Sequence, residues 1–212
     1  MNESGLLVLV PVKAFARAKT RLAGCLDAPS RTALARSMLE HVLGVLQRHP
    51  AARDVVVATD CVEVGLMAAP YGARVAFDRA PAPLGAIVDR ALEGCAGSAE
   101  RALVLMGDLP ELTVADLEAL LELGQSSEVV LAPDLRGECT NALLMPLPAQ
   151  PTRFGQSDSL ELHRSDAARR GQSYRLCQRR GLALDIDTPE DLALWRAPAA
   201  AQVGDIRRFG LA

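Results

Sequence analysis

The stretch LALDIDTP, residues 182–189, ends an apolar run in two carboxylates that are separated by one residue. In an extended strand, alternate residues point to the same side, so Asp185 and Asp187 would project from one face. Two carboxylates this close disfavour each other's ionisation unless a cation lies between them or a proton is shared. Thr188 is suited to cap a helix that begins with Pro189. The stretch therefore predicts a strand, a carboxylate pair and a helix start, with a metal clamp and a solvated turn as the two interpretations of the pair.

A third carboxylate, Asp108, ends the apolar run 101–107. Mg²⁺ prefers one or two carboxylates together with phosphate oxygens and water, so an Asp at the end of a buried strand is a candidate ligand. A turn residue before Pro110 is the alternative. Thr59 and Asp60 follow another predicted strand in the same way, and we take them as candidate nucleotide-binding residues.

Basic residues are concentrated in the loop after the first predicted strand, where Lys13, Arg17, Lys19 and Arg21 fall close together in the sequence. Arginine binds phosphate through two parallel hydrogen bonds and lysine acts as a point charge, so this loop is a candidate site for a phosphate chain. A solvated basic loop is the alternative. The loop is neither a Walker P-loop nor a Rossmann fingerprint, because GxxxxGK[ST] and GxGxxG are both absent.

Hydroxyl and glycine residues follow in two later stretches. Thr140 lies between two predicted strands, and Gly155 precedes a predicted helix together with the polar residues 157–159. The backbone N–H groups of a helix start bind anions, whereas simple N-capping is the alternative role for residues 157–159. His163 lies one turn after Ser159, and we interpret it as a packing residue.

The composition describes an ordinary globular domain. The chain has 212 residues, 23% of them charged, a formal charge of −3 and a pI near 5.7. Clustered lysine and arginine dominate the binding of polyanions, so we expect no nucleic-acid partner. The five cysteines are scattered without a CxxC pair, which favours a reducing, cytoplasmic location. The longest apolar run, 6–12, is too short to span a bilayer, so we expect no membrane association.

Apolar runs alternate with helical patterns along the chain. The predicted strands are 6–12, 54–59, 73–78, 101–108, 128–134, 141–146, 174–177 and 182–187, and the predicted helices are 29–48, 61–69, 84–97, 114–124, 158–170 and one from 189. This alternation predicts an α/β fold in which helices cover both faces of a mostly parallel sheet, with ligands beyond the carboxyl ends of the strands. We expect one domain, 1–197, and a mobile Ala-rich tail, 198–212. A basic loop, three carboxylates and a hydroxyl pocket, without a Ser-His-Asp or Cys-His nucleophile set, favour nucleotidyl transfer.

Five motifs resemble a known family, the guanylyltransferases of coenzyme F420 biosynthesis that act on 2-phospho-L-lactate or phosphoenolpyruvate. They are VPVKAFARAKTRL (10–22), MGDLPEL (106–112), LAPDLRGECTNALL (131–144), FG…S…H (154–163) and LALDIDTPEDL (182–192). The resemblance spans roughly residues 6–195. It implies a single-domain nucleotide-diphosphosugar transferase fold and transfer of GMP from GTP to a three-carbon phospho-acid with release of diphosphate. It also implies Mg²⁺, or Mn²⁺, and a downstream transferase that consumes the labile product.

The resemblance also implies roles for matching residues. These are metal binding for Asp108, Asp185 and Asp187; phospho-acid binding for Thr140, Gly155 and Ser159; a catalytic basic signature for Lys13, Lys19 and Arg21; and nucleotide contacts for Lys13 and Arg21.

Three departures from the family pattern bear on substrate recognition. Cys139 replaces a glycine beside the acid pocket, and the chain is one residue longer between Phe154 and His163. From these two we hypothesise a reshaped pocket for another acceptor, such as 3-phospho-D-glycerate. Gly85 stands where the family has an asparagine, which bears on recognition of the base or ribose.

Three alternatives remain open at this point. A haloacid-dehalogenase-type phosphatase would need DxDx[TV] on its first strand, whereas here Pro189 occupies the last position of that motif and the motif lies near the end of the sequence. A nucleotidyltransferase for another phosphorylated acceptor usually opens with a Gly-rich LAGGxGxRM-type loop, which is absent. An inactive nucleotide-binding protein would bind GTP without releasing diphosphate.

Overall fold

The computed structural model describes residues 5–78, 82–95 and 97–197. The strands are β1 Leu6–Pro11, β2 Asp54–Thr59, β3 Arg74–Phe77, β4 Arg101–Leu105, β5 Val129–Pro133, β6 Thr140–Pro146 and β7 Tyr174–Leu176. The helices are α1 Ala28–Arg48, α2 Val62–Ala68, α3 Leu84–Gly94, α4 Val114–Leu123, α5 Ser159–Arg169, α6 Arg180–Ala183 and α7 Pro189–Arg196.

The seven strands form one mixed sheet in the order β3-β2-β1-β4-β6-β5-β7. All neighbours are parallel except β6, which runs antiparallel to both β4 and β5. The predicted mostly parallel sheet is therefore confirmed. Because β6 is reversed, its first residues lie beside the carboxyl ends of the parallel strands.

Helices cover both faces of the sheet, and β1 shows why. Its residues Val8 and Val10 pack with α1 on one face, whereas Leu7 and Leu9 pack with α3 on the other. A strand that is buried on both sides has no polar face, which explains the unbroken apolar run in the sequence.

The predicted cap of the last helix is confirmed. The Thr188 hydroxyl accepts from the N–H of Asp191, whose carboxylate accepts from the N–H of Thr188, and Pro189 occupies the first helical position. The capping box fixes where α7 begins and hence where the chain leaves Asp187.

The predicted strand 182–187 is wrong. Residues Leu182 and Ala183 belong to the short helix α6, and the next residues form no strand. At this end of the sheet, the strand that pairs with β5 is β7, and the segment 184–187 remains outside the sheet. The predicted alternation nevertheless holds, because Leu184 and Ile186 are fully buried in two small clusters, whereas the alternating carboxylates of Asp185 and Asp187 remain partly exposed.

Other predicted elements differ from the structure by a few residues at their ends. The strand predicted for 101–108 ends at Leu105, which leaves Asp108 in the following loop. The predicted tail 198–212 lies outside the described residues, and the domain division remains a prediction. None of the described helices is long and apolar enough to cross a membrane.

The capping box of α4 provides a test of local stability away from the cleft described below. The Thr113 hydroxyl accepts from the Asp116 N–H at 3.2 Å and donates to the Asp116 carboxylate at 2.6 Å. Thr113→Ala removes both bonds, so we expect the free energy of unfolding in urea to fall by about 1 kcal/mol. Thr113→Ser, which keeps the hydroxyl, is the control. Equal stability of the two variants would contradict the assignment.

Candidate active site

A cleft of about 730 Å³ opens at the carboxyl edge of the parallel strands. It is lined by the loop after β1, the loop after β4, the start of β6 and the segment between α6 and α7. The N–H of Met106, just after β4, donates to the carbonyl of Asn141 in β6 at 2.9 Å, which brings the two loops together. The strand order therefore collects residues from distant parts of the sequence at one edge.

Three carboxylates meet in this cleft. One oxygen each of Asp108, Asp185 and Asp187 lies within 4.8 Å of the others. Asp108 follows β4, while the other two lie on the segment that is held from below by the buried side chains of Leu184 and Ile186. The candidate metal ligands from the sequence are thus brought together, although by an extended segment and not by a strand.

The ammonium group of Lys19 contacts two of these carboxylates. Its Nζ lies 2.5 Å from Asp108 Oδ2 and 2.8 Å from Asp187 Oδ1, and the side chain is 5% exposed. Lys19 also adopts a left-handed backbone conformation with φ 55°, which is uncommon for a residue other than glycine. The two ion pairs hold this backbone in a conformation that it would not otherwise prefer.

The charges of the cluster perturb one another. Burial, together with the charges of Asp108 and Asp187, raises the pKa of Asp185 to about 7. Burial alone would raise the pKa of Asp187 and lower that of Lys19, but their ion pair outweighs it, so the pKa of Asp187 is lowered and that of Lys19 is raised. One ammonium does not fully compensate three carboxylates, so Asp185 is the member of the cluster whose ionisation is disfavoured.

Asn141 orients the most buried member of the cluster. Its Nδ2 lies 3.2 Å from Asp185 Oδ1 and 3.2 Å from the carbonyl oxygen of Ala183. One amide thereby fixes both the carboxylate and the backbone turn before it. Asn141 is the second residue of the antiparallel strand β6, and the sequence analysis assigned it no role.

The donor set suits a hard divalent cation. All three groups offer carboxylate oxygens, without histidine or thiol, and they converge on one side of an open cleft. Mg²⁺ and Mn²⁺ prefer such oxygen ligands and leave further positions for phosphate and water. The residues present therefore fit a magnesium-type ion.

The remaining basic residues of the loop lie at the cleft and, unlike Lys19, have exposed side chains. Lys13 and Arg21 are exposed and line the cleft, and Arg21 Nη1 lies 3.8 Å from Asp187 Oδ2. Arg17 also lines it and forms an ion pair with Asp60. These exposed cations remain available to a polyanionic ligand.

Thr59 and Asp60 are not part of the cleft lining. The Thr59 hydroxyl is buried and accepts from the N–H of Cys61 at 3.2 Å. Asp60 contacts the cleft only through its ion pair with Arg17. Their role as nucleotide contacts remains a prediction, and the structure places neither residue in the lining of the cleft.

The three predicted phospho-acid contacts lie side by side. The Thr140 N–H donates to the Ser159 hydroxyl at 3.1 Å, and both residues are buried at the back of the cleft. Gly155 has φ 86°, where glycine is favoured, and a Cβ built there would lie 3.1 Å from Leu84 Cβ. Only glycine allows the chain to pass this closely over the start of α3.

The capping role considered for residues 157–159 is wrong for Ser159. Asp158 is the N-cap residue of α5, and its side chain makes no capping hydrogen bond. The Ser159 hydroxyl instead serves the Thr140 N–H, because the helix start is turned towards β6. The first turn of α5 is therefore part of the pocket wall.

The two departures at Cys139 and Gly85 have structural explanations. The Cys139 thiol fills the space next to the carbonyl oxygens of Gln156 and Ser157, at 3.9 and 3.7 Å. A Cβ at Gly85 would lie 3.1 Å from the Phe154 carbonyl oxygen, so the backbone of this segment occupies the space that a longer side chain would need. Both residues are therefore coupled to the loop that carries Gly155.

Comparison with known proteins places the chain in a family. A sequence model for proteins described as "Guanylyl transferase CofC like" matches residues 6–195. The chain belongs to the CofC-like guanylyl transferase family. The resemblance stated from the motifs is therefore confirmed.

Relatives within the CofC-like family differ in the substrate they are named for. A phosphoenolpyruvate guanylyltransferase of Rubrobacter xylanophilus is 37% identical, with 93% of this chain and 96% of the relative covered. A 2-phospho-L-lactate guanylyltransferase of Methanothermobacter thermautotrophicus is 33% identical, covering 87% and 81%. A 3-phospho-D-glycerate guanylyltransferase of Phenylobacterium zucineum is 34% identical, covering 93% of each chain.

The fold of this CofC-like chain is also found among solved structures. A Desulfovibrio desulfuricans G20 protein described as a nucleotide-diphospho-sugar transferase superposes with a TM-score of 0.73 at 17% identity, covering 99% of this chain and 97% of the other. The predicted nucleotide-diphosphosugar transferase-like fold is therefore confirmed.

The Lys19 ion pairs yield a prediction about stability. Lys19→Met leaves three carboxylates without their buried ammonium, so we expect the free energy of unfolding to fall by about 3 kcal/mol in the presence of a chelator. Added Mg²⁺ should then raise the melting temperature more in this variant than in the wild type, because the ion replaces the lost positive charge.

The matched control is Lys13→Met, which removes an exposed ammonium from the same loop and should change the melting temperature little. Differential scanning calorimetry with and without Mg²⁺ measures both variants. An equal response of Lys19→Met and Lys13→Met would contradict the compensating role of Lys19.

Proposed function

We propose that this protein transfers GMP from GTP to the phosphate of a three-carbon phospho-acid and releases diphosphate, as a step of coenzyme F420 biosynthesis. The observation that carries the proposal is the meeting of a three-carboxylate cluster, a basic loop and a hydroxyl pocket in one cleft. Membership of the CofC-like family supports the same reaction class.

Asp108, Asp185 and Asp187 would hold the Mg²⁺ or Mn²⁺ ion. Such an ion, when bound, neutralises negative charge on the phosphates of the nucleotide. The role of the protein is to hold the three carboxylates close together in spite of their mutual repulsion. Asn141, the buried Leu184 and Ile186, and the capping box of α7 support this arrangement.

The basic loop would bind the triphosphate. Lys13 and Arg21 present exposed cationic groups at the cleft, and Lys19 approaches from within the carboxylate cluster. Their positive charges would stabilise the charge that develops on the departing diphosphate. Asp60 would contribute by holding Arg17, and Thr59 by holding the N–H of Cys61 in the loop after β2.

The acceptor would bind at Thr140, Gly155 and Ser159. An oxygen of its phosphate attacks the α-phosphorus of GTP, a new P–O bond forms, and the bond from the α-phosphorus to the bridging oxygen breaks. Diphosphate leaves with that electron pair. Because the attacking oxygen is already an anion, the chain needs no nucleophile of its own, and positioning and charge neutralisation supply the catalysis.

The identity of the acceptor is the finer part of the proposal. The relatives are named for three different acids, all carrying a phosphate and a carboxylate on three carbons. We infer 3-phospho-D-glycerate, because Cys139 fills space beside the pocket and the chain between Phe154 and His163 is one residue longer than the family pattern.

Cytoplasmic location and hand-over of the labile product to a downstream transferase belong to the same proposal, and five free thiols support a reducing compartment.

The first prediction of this proposal concerns the reaction itself. Diphosphate release from GTP with Mg²⁺ should depend on one of 2-phospho-L-lactate, phosphoenolpyruvate and 3-phospho-D-glycerate, offered separately and in competition. We expect 3-phospho-D-glycerate to give the highest kcat/KM. Equal or better turnover of 2-phospho-L-lactate would contradict the acceptor assignment. GTP binding without diphosphate release would favour another phosphorylated acceptor or an inactive binder.

A second prediction concerns the metal ligands. Asp187→Asn should lower kcat by about 100-fold or more, because it removes a charged ligand and the partner of Lys19 while its backbone N–H still bonds to Asp191. Mn²⁺ binding followed by electron paramagnetic resonance should weaken in parallel. Asp54→Asn is the control, since Asp54 pairs with Arg74 at the opposite end of β2. A near-normal rate and unchanged Mn²⁺ affinity for Asp187→Asn would exclude Asp187 as a ligand.

A further inference from the structure

A buried histidine lies directly behind the hydroxyl of Thr140. His163 Nδ1 is 3.0 Å from Thr140 Oγ1, and the backbone N–H of Arg153 points at His163 Nε2 from 2.9 Å. Both ring nitrogens are thus in hydrogen bonds, and the imidazole is 6% exposed. His163 does not line the cleft, whereas Thr140 does.

The backbone donor decides which ring nitrogen carries the proton. A backbone N–H can only donate, so His163 Nε2 must accept from Arg153 and cannot carry a proton itself. The imidazole is therefore neutral, with its proton on Nδ1. Burial lowers the pKa of His163 to about 4, although Asp166 opposes and Arg153 reinforces this shift, so the neutral form also prevails at neutral pH.

The tautomer in turn fixes the direction of the next hydrogen bond. The Nδ1–H of His163 must donate to Thr140 Oγ1, which leaves the hydroxyl proton of Thr140 to be donated elsewhere. Within the described part of the chain, this hydroxyl has no second hydrogen-bond partner. Its residue lines the cleft, so the proton is left for a ligand there.

We propose that His163 is a positioning residue that makes the Thr140 hydroxyl an obligatory hydrogen-bond donor to an anionic oxygen of the acceptor. The inference rests on the proposed function, because it assumes that the phospho-acid binds at Thr140. It explains why His163, which does not line the cleft, is hydrogen-bonded on both sides, to Arg153 and to Thr140. The pocket then offers a hydrogen-bond donor that suits a phosphate or carboxylate oxygen at this position.

Neighbouring residues hold the imidazole of His163 and the backbone N–H of Arg153 in place. Arg153 is bound through its side chain to the buried carboxylate of Asp166, at 2.6 Å from Nε to Oδ2, which holds its backbone N–H near the ring. Asp166 follows His163 by three residues on α5, so both lie on the same face of the helix. The Phe154 ring packs edge-on against the imidazole, with 4.9 Å between the ring centroids.

Two substitutions separate the two ring nitrogens. His163→Gln places an amide oxygen near the Nε2 position, where it accepts from Arg153, but it removes the donor to Thr140. His163→Asn places an amide N–H near the Nδ1 position and leaves the Arg153 N–H without its acceptor. Each variant loses one buried hydrogen bond, so their melting temperatures should fall by similar amounts.

Steady-state kinetics with GTP and the preferred phospho-acid should distinguish the variants. We expect His163→Gln to raise the KM of the acid about 10-fold or more, with the KM of GTP within about twofold of the wild type. His163→Asn should stay closer to the wild-type KM of the acid. Equal effects of the two variants on that KM, or a larger effect of His163→Asn, would overturn the proposal.

Thr140 variants separate the failure of this inference from the failure of the proposed function. Thr140→Val should raise the KM of the acid, Thr140→Ser should restore it, and Thr140→Val combined with His163→Gln should add little to the single variants. No effect of Thr140→Val would show that the acid binds elsewhere, which overturns the acceptor site of the proposed function. A Thr140→Val effect without a His163→Gln effect would overturn only the role of His163.

The tautomer is measured independently of any turnover. A long-range ¹H–¹⁵N correlation spectrum of the full-length protein at neutral pH reports which nitrogen of each imidazole is protonated. Spectra of His41→Gln and His49→Gln assign the signals of the three histidines. A proton on Nδ1 of His163 supports the proposal, whereas a proton on Nε2, or on both nitrogens, overturns it even if the enzyme assay fails.

Discussion

The contact on which the site depends is that of Lys19 with Asp108 and Asp187. Three carboxylates within 4.8 Å of one another repel by roughly 3 kcal/mol for each charged pair at the effective dielectric constant of a protein surface. The buried ammonium offsets part of this repulsion, and it contacts the carboxylates from a backbone in the left-handed region. The conformation of the loop after β1 and the arrangement of the carboxylates are therefore one constraint and not two.

The sheet topology carries the second constraint. In a purely parallel sheet, only the ends of strands would reach the cleft. Because β6 is reversed, the beginning of a strand lies there, and Thr140 and Asn141 point a hydroxyl and an amide at the two halves of the site. Asn141 contacts the carboxylate cluster and Thr140 lies in the predicted acceptor pocket, so two adjacent residues of one strand fix the distance between these two parts of the cleft.

The sequence predicted the fold well where hydrophobic patterns were long, as in β1, β2 and α1. It correctly placed Asp185 and Asp187 on one side of an extended chain, since Leu184 and Ile186 alternate with them. It could not distinguish an extended segment from a strand, because a hydrophobic pattern does not report which segment pairs with β5. Short polar residues were hardest to interpret. Ser159 has the composition of a helix cap, yet its hydroxyl serves the N–H of Thr140 on another element. His163 resembled a packing residue, because the sequence does not show that the backbone N–H of Arg153 donates to its ring.

The glycines at 85 and 155 link these constraints to the loop beside the predicted acceptor pocket. Both allow the segment that carries Phe154 to lie against the start of α3, and the same segment supplies the backbone of Arg153 to His163. A larger side chain at position 85 would push this segment outward and with it the donor that sets the imidazole. Gly85 and Cys139 thus border the same loop, in which backbone and a thiol occupy space around the predicted acceptor pocket. In the proposed function, the shape of the acceptor pocket then depends on how closely this loop is held against α3, in addition to the polar groups that meet the acid.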